Sequence, residues 1–312
     1  MPPPADLLQR DAEEAVRLIA RDLVSQARTA APRTLDPDDA EGLHDFRVSI
    51  RRLRSTLSAW KGLLRGVVEK RDRRMLAGFQ KRTGSSRDAE VALEWLANQV
   101  EALEPEHRTG CEWVVARLRS AAEVPSDDAN RAVCSEFAEW ADGFQLRVAG
   151  RAPAGSAGPL YAEALADRLD RIAHRLAARV DGVGDDRKQG PHRVRIACKR
   201  LRYLVEPVRA ESEVAASLVD RCKRLQDVLG TLNDANVLDD LLKVYLDGES
   251  SASESGVLEL RRLNAARAEI SYRSFRLEWL EAGGLRTLLD EAAALARQLR
   301  GGQESDRSTA PG

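Results

Sequence analysis

Apolar residues recur along this chain in steps of three and four, while the alternation that marks half-buried strands is nearly absent. No Asn-Gly or Asp-Gly hairpin signal sits between alternating segments, and Pro and Gly fall between the periodic stretches, where they punctuate helices. The pattern predicts an all-α protein of about a dozen helices, with ends uncertain by about two to four residues. These lie near 5–30, 40–66, 69–82, 87–103, 106–122 and 130–149, then 158–181, 191–210, 212–229, 234–247, 254–280 and 283–300. The Gly/Ala/Pro-rich stretch at 150–157 reads as a linker. It divides a domain at 5–300 into halves at 5–149 and 158–300, leaving residues 1–4 as a flexible start and 301–312 as a disordered tail.

One basic helical pattern occurs twice. His44-x-x-Arg47-Val48-x-x-Arg51-Arg52-Leu53-Arg54 is answered 148 positions later by His192-x-x-Arg195-Ile196-x-x-Lys199-Arg200-Leu201-Arg202. At about 100° per residue, His44, Arg47, Arg51 and Arg54 fall within an arc of about 80°, as do His192, Arg195, Lys199 and Arg202. Each helix has an apolar face beside this stripe: Leu43, Phe46, Ile50, Leu53, Leu57, Trp60 and Leu64 in the first, and Val194, Cys198, Leu201, Val205 and Val208 in the second. The two faces are about 110° apart, so the cations flank the packed surface like the wall of a groove. A single basic run is as often a solvated face. Recurrence of the histidine and the bases in the same phase favours paired rows facing a polyanion.

A second correspondence follows one helix later. Gly84-Ser85-Ser86-Arg87-Asp88-Ala89-Glu90-Val91 matches Gly230-Thr231-Leu232-Asn233-Asp234-Ala235-Asn236-Val237. Both are expected to be turns, with Gly ending one helix and Asp88 or Asp234 capping the next. Arg87 and Asn233 then occupy equivalent places near the basic stripes, and the matched order of motifs argues for an internal duplication.

Composition narrows the function. With 43% hydrophobic and 32% charged residues among 312, the chain can bury real cores. Lys+Arg 49 against Asp+Glu 50 leaves a formal charge of -1, so anion attraction must come from segregated charge, which argues against a coating, histone-like binder. Arg far outnumbers Lys, a bias that suits bidentate phosphate contacts. Cys111, Cys134, Cys198 and Cys222 have no paired metal or disulfide spacing. No apolar run approaches the ~18 residues of a membrane span, and the start lacks a signal-peptide pattern. The expectation is a cytoplasmic protein without cofactor or metal.

These motifs resemble those of the conserved histidine α-helical domain, CHAD: the repeats at 44–54 and 192–202, the Gly-x-x-Arg-Asp-x-x-Val turn at 84–91, and Lys-x-Leu-Gln-x-x-Leu-Gly-x-x-Asn-Asp at 223–234. The resemblance covers about residues 5–300. It implies two helical bundles related by a pseudo-twofold around a basic central groove, and noncatalytic binding of inorganic polyphosphate. Carried over by position, His44, Arg47, Arg51, Arg54 and Arg87 line one half of the groove. His192, Arg195, Lys199, Arg202 and Lys223 line the other. The first-half counterpart of Lys223 is Ala77, with Arg73, Arg74, Lys81 and Arg82 as nearby substitutes, and Thr83 stands where leucine is usual before the turn glycine. The Glu-x-Glu-x-Lys signature of the triphosphate-tunnel (CYTH) domain carried by many relatives is missing, so the chain reads as a stand-alone member. The implied partners are polyphosphate itself, polyphosphate granules or polyphosphate-metabolising enzymes.

Two other readings stay open. Nucleic acid would also suit a basic row, but aromatics are only 4% and mostly sit on apolar faces, whereas single-strand binding uses exposed stacking residues. A metal or phosphoryl site could use His44 and His192. Against it, His107 and His174 fall outside the motifs, and no HxxxH, HExxH or carboxylate cluster accompanies any of the four histidines.

Overall fold

The structure is a computed structural model that describes residues 6–36, 38–83, 85–121, 127–150, 158–183, 186–247 and 251–308. Among them the helices are α1 (Ala12–Arg33), α2 (Ala40–Ala59), α3 (Lys70–Arg82), α4 (Ser85–Val100), α5 (Pro105–Ala121) and α6 (Asp127–Ala149), then α7 (Tyr161–Asp181), α8 (Gln189–Val205), α9 (Glu213–Asp247), α10 (Ser251–Ser274) and α11 (Gly284–Ser308). Extended pairing among the described residues is confined to an isolated bridge between Asp11 and Leu160. The all-α expectation holds.

Caps and close contacts fix the helix order locally. Asp11 accepts from the Glu13 and Glu14 amides to start α1, and Asp39 does the same for Glu41 and Gly42 at α2. Asp39 also takes Arg33 at 2.7 Å, which with the Arg33–Asp45 pair folds α1 back on α2. Glu69 and Asp72 form a capping box at α3, and buried Asp72 also accepts from Trp140 and Arg147 of α6. The start of the chain docks on the start of α7 through Ala12 N–H to Pro159 O and Tyr161 N–H to Arg10 O. The expected linker at 150–157 lies outside the described residues except Gly150, whose carbonyl accepts from Arg17 at 2.7 Å. Residues 1–4 lie outside them as well.

The apolar faces of the motif helices are buried as expected. Phe46, Ile50, Leu53, Leu57, Trp60 and Leu64 are 3% exposed or less, as are Val194, Cys198, Leu201, Val205 and Val208, and Leu43 is half-buried. Each fully buried large side chain contributes about 1.5–3 kcal/mol. Buried apolar residues form two clusters. The larger joins α1–α3 and α6 to α7, α8, the N-terminal part of α9, and α11. The smaller joins α4 and α5 to the C-terminal part of α9 and to α10. Each cluster therefore draws on residues from both sides of 150–157.

Several boundaries differ from the sequence expectation: α1 starts at Ala12 and not near 5, and α2 ends at Ala59 and not near 66, with turns following it. The turn expected at 230–234 does not form, because α9 runs unbroken through Gly230, Asn233 and Asp234. Leu225, Leu229, Leu232, Ala235, Leu238 and Leu242 are all buried across the junction, and Asn264 of α10 donates to the Ala235 carbonyl at 2.7 Å. Packing on both flanks overrides the local stop signal, so Asp234 lies mid-helix and caps nothing. The helix expected at 254–280 ends in a π-helical turn at Phe275–Glu281, and Gly283 then turns the chain with φ 80°. The expected disordered tail is helical to Ser308, since Gly301 keeps a helical backbone instead of a left-handed one, while 309–312 lie outside the described residues.

α5 and α10 cross where two glycines meet. A Cβ on Gly256 would sit 2.7 Å from the Gly110 Cα and clash with the His107 carbonyl. Gly256→Val is expected to lower stability by about 1–3 kcal/mol, because backbone cannot yield as a side chain can. A denaturant midpoint equal to wild type would contradict that crossing.

Candidate functional site

The motif helices are neighbours, and polar contacts tie them together. Arg51 of α2 donates through Nε to the Tyr203 hydroxyl of α8 at 2.7 Å. Arg52 pairs with Glu206, just past the end of α8, at 2.9 Å, and Arg202 meets the same carboxylate at 3.2 Å. Beside these contacts lies an open cleft of about 610 Å³. α2 supplies Arg51, Arg54, Ser55 and Ser58 to it. α8 supplies Lys199, Arg200 and Tyr203, and α7 supplies Arg168, Arg175 and Arg179. Seven bases line the cleft, and no carboxylate is among its described lining residues.

The charges in the cleft are mutually unfavourable. Burial and the nearby Arg195, Arg51 and Arg202 push the Lys199 ammonium down to about 7, against a smaller opposing pull from Asp234. An α2 arginine thus acts on an α8 lysine, so the two rows share one field. Arg54 is held outward by Gln80 of α3, and Arg47 donates to the Thr83 carbonyl at the end of the same helix. The Gln80 amide is a neutral acceptor, so it presets the Arg54 guanidinium without cancelling its charge.

The rows meet at their middles and diverge at their ends. Arg51, Arg54 and Lys199 share the cleft. His44 is exposed on α2 outside its lining, and Arg47 is held at the end of α3. Arg195 is half-buried and adjoins Lys199, and Arg202 stacks its guanidinium 4.9 Å from the Tyr203 ring centre beside Glu206. His192 lies in another hollow of about 210 Å³, its Nδ1 3.1 Å from the Asn233 Oδ1. Asn233 thus does face the basic stripe, although from within a continuous helix. Lys223 lines a third hollow, of about 240 Å³, across Tyr203 from the cleft and 3.4 Å from Asp220. The Arg87 and Asp88 side chains lie outside the described residues. Among the proposed substitutes for Ala77, Arg82 is paired with Glu136 at 2.5 Å and stacked on Phe79, while Arg73, Arg74 and Lys81 are exposed outside the cleft lining.

The α7 arginines were missed in the sequence. Arg168, Arg171, Arg175 and Arg179 keep a helical stripe with steps of three, four and four, a signal as regular as the motif rows but lacking the histidine and the second copy that drew attention there. Among the described residues no group of His, Cys, Asp and Glu side chains gathers as a metal site, and no helix is long and apolar enough to cross a membrane.

Comparison with known proteins gives a consistent fold. The CHAD domain family model matches residues 18–243. The crystal structure of the CHAD domain from the plant Ricinus communis is similar with a TM-score of 0.65 at 20% identity, covering 93% of this chain and 96% of that one. PptA from Streptomyces chartreusis is similar with a TM-score of 0.64 at 16% identity, covering 86% and 99%. No curated protein matches the chain.

The depressed Lys199 makes a testable demand on stability. Its proton is held less tightly in the folded than in the unfolded chain, so the native state is penalised below about pH 7 and the penalty is relieved as pH rises toward the ordinary value of 10.5. Lys199→Met is expected to stabilise the ligand-free protein at pH 6 by up to a few kcal/mol, with the gain fading by pH 10. Urea unfolding at both pH values checks this, and an equal effect at both would show that Lys199 carries no such penalty.

Proposed function

This chain belongs to the CHAD domain family, and from that premise we propose that its cationic cleft binds inorganic polyphosphate without catalysing its turnover. The observation that carries the reading is the meeting of Arg51 and Arg54 from one motif with Lys199 from the other in a single cleft without a described carboxylate. A polymer with a charge on every internal phosphate and neither base nor sugar offers only charge, spacing and width to recognise. Guanidinium groups on converging helices meet those requirements with charge-assisted hydrogen bonds to nonbridging oxygens. Tyr203 fixes Arg51 and Gln80 fixes Arg54, so little side-chain freedom remains to be lost on binding. An arriving anion also relieves the repulsion among the cleft bases.

The aromatic rings favour polyphosphate over nucleic acid. Phe46, Phe79, Phe137 and Trp60 are buried, and Tyr203, the ring on the cleft wall, is 6% exposed and engaged by Arg51. Stacking of bases therefore has little purchase there. In this reading the bound polymer is a ligand and no residue performs chemistry on it; granules and polyphosphate-metabolising enzymes are the settings in which such a binder would work.

The triple variant Arg51→Gln, Arg54→Gln, Lys199→Gln is expected to weaken long-chain polyphosphate by about two orders of magnitude, and wild-type affinity is expected to fall steeply with salt. Calorimetry on both proteins checks this, with RNA and duplex DNA as competitors at equal phosphate concentration. Unchanged affinity in the variant, or equal displacement by RNA, would refute the reading.

The same cleft predicts a pH dependence. Lys199 faces Arg195 and Arg202 of its own helix, Arg51 of α2 and Asp234 of α9. Polyphosphate should restore its proton, so affinity is expected to decline between pH 7 and 9, by up to about ten-fold for one charged contact. Lys199→Arg, which keeps its charge, should flatten the decline. A wild-type profile already flat over that range would remove Lys199 from the binding charge.

A further inference from the structure

The cleft has a wall that neither motif helix supplies. α7 lines it with Arg168, Arg175 and Arg179, a stretch of twelve residues that covers about 16 Å of helix axis. Several arginines elsewhere on this protein end in carboxylates: Arg17 on Glu13, Arg221 on Glu291, Arg300 on Asp167 and Asp170. Among the described residues no carboxylate pairs with Arg168, Arg175 or Arg179. Arg168 lies 5.3 Å over the Trp60 ring, its Nε buried without a hydrogen-bond partner, while burial and the charges of Arg171 and Arg175 all oppose its ionised form. Arg175 is exposed and Arg179 half-buried, so the row runs from a partly desolvated arginine out to solvent. Such a set of like charges suits an anion that the protein itself does not supply.

The other flank of the motif pair is different. There α1 presents Ile19, Asp22, Leu23 and Gln26 to the smaller hollow, and Glu206 joins them. That hollow mixes Arg52, Arg209 and Lys223 with the acids Asp22 and Glu206, whereas the lining along α7 has bases without a described carboxylate.

We infer that the α7 arginine face is a second phosphate track, continuous with the motif cleft, that only an extended polyphosphate chain can occupy together with Arg51 and Lys199. The inference rests on the proposed polyphosphate reading and adds to it a basis for chain-length selection. A short oligophosphate is held by the Arg51/Lys199 end, where bases of two helices converge. A long chain continues toward Arg175 and Arg179 and gains contacts there.

The test compares tripolyphosphate with polyphosphate of about one hundred units on wild type, Arg175→Gln/Arg179→Gln and Arg175→Lys/Arg179→Lys. These pairs spare the Arg168–Trp60 stack, and circular dichroism verifies that each variant folds. The glutamine pair is expected to bind the long chain about ten-fold more weakly with a shallower salt dependence, to hold tripolyphosphate within about two-fold of wild type, and to be largely rescued by the lysine pair. Unchanged long-chain affinity, or equal losses for both ligands, would overturn the α7 track while leaving polyphosphate binding intact. A wild type that binds neither ligand would overturn the proposed function and this inference with it.

Discussion

Electrostatic imbalance confined to one place is what the rest of this structure depends on. The chain carries 50 acids against 49 bases, and many of them pair: Arg33 with Asp39, Arg209 with Asp220, Lys188 with Asp240, Arg187 with Glu269. Such pairs contribute little stability individually, but each cancels charge locally. Where α2, α7 and α8 face the cleft, no carboxylate is among the described lining residues. The bases there are held by a phenol, an amide and a tryptophan ring, which orient charge without cancelling it. A net charge near zero is thereby compatible with a strongly cationic cleft.

Glu206 sets the border of that cleft. It gathers Arg52 from the first motif helix and Arg202 from the second, pins the two helices together, and withdraws both guanidinium groups from the open side. Tyr203 stands between the basic cleft and the smaller hollow that holds Asp22, Glu206 and Lys223. Two hollows flank the same helix pair, then, and only one is stripped of acids. An internal repeat of sequence does not oblige the two flanks to act alike. The bases that α7 adds have no cationic counterpart among the α1 residues lining the other hollow.

The helical fold was legible because each element carries its own amphipathic period: Phe46, Ile50, Leu53 and Leu57 declare α2 without reference to any other segment. The two motif rows were legible for the same reason, and their convergence at Arg51 and Lys199 follows from packing the adjoining apolar faces into one core. What local pattern could not express is competition with tertiary packing. Gly230 with Asn233 and Asp234 spells a helix stop, yet the buried leucines on either side and the Asn264 contact hold α9 continuous. Nor does spacing along one helix reveal partners on another. Arg202 shares the phase of Lys199 but lies beside Glu206, and Lys223 falls across Tyr203 in a different hollow. The α7 stripe was visible as a period, but its meaning required seeing which helix faced it.

The central claim is that bases from both motif copies grip one polyanion in one cleft. A crystal structure of the protein with bound polyphosphate tests it most directly. The account predicts phosphate oxygens within hydrogen-bonding distance of both Arg51 and Lys199, with the chain continuing toward α7. A polymer seated elsewhere, with no phosphate between those two side chains, would contradict it.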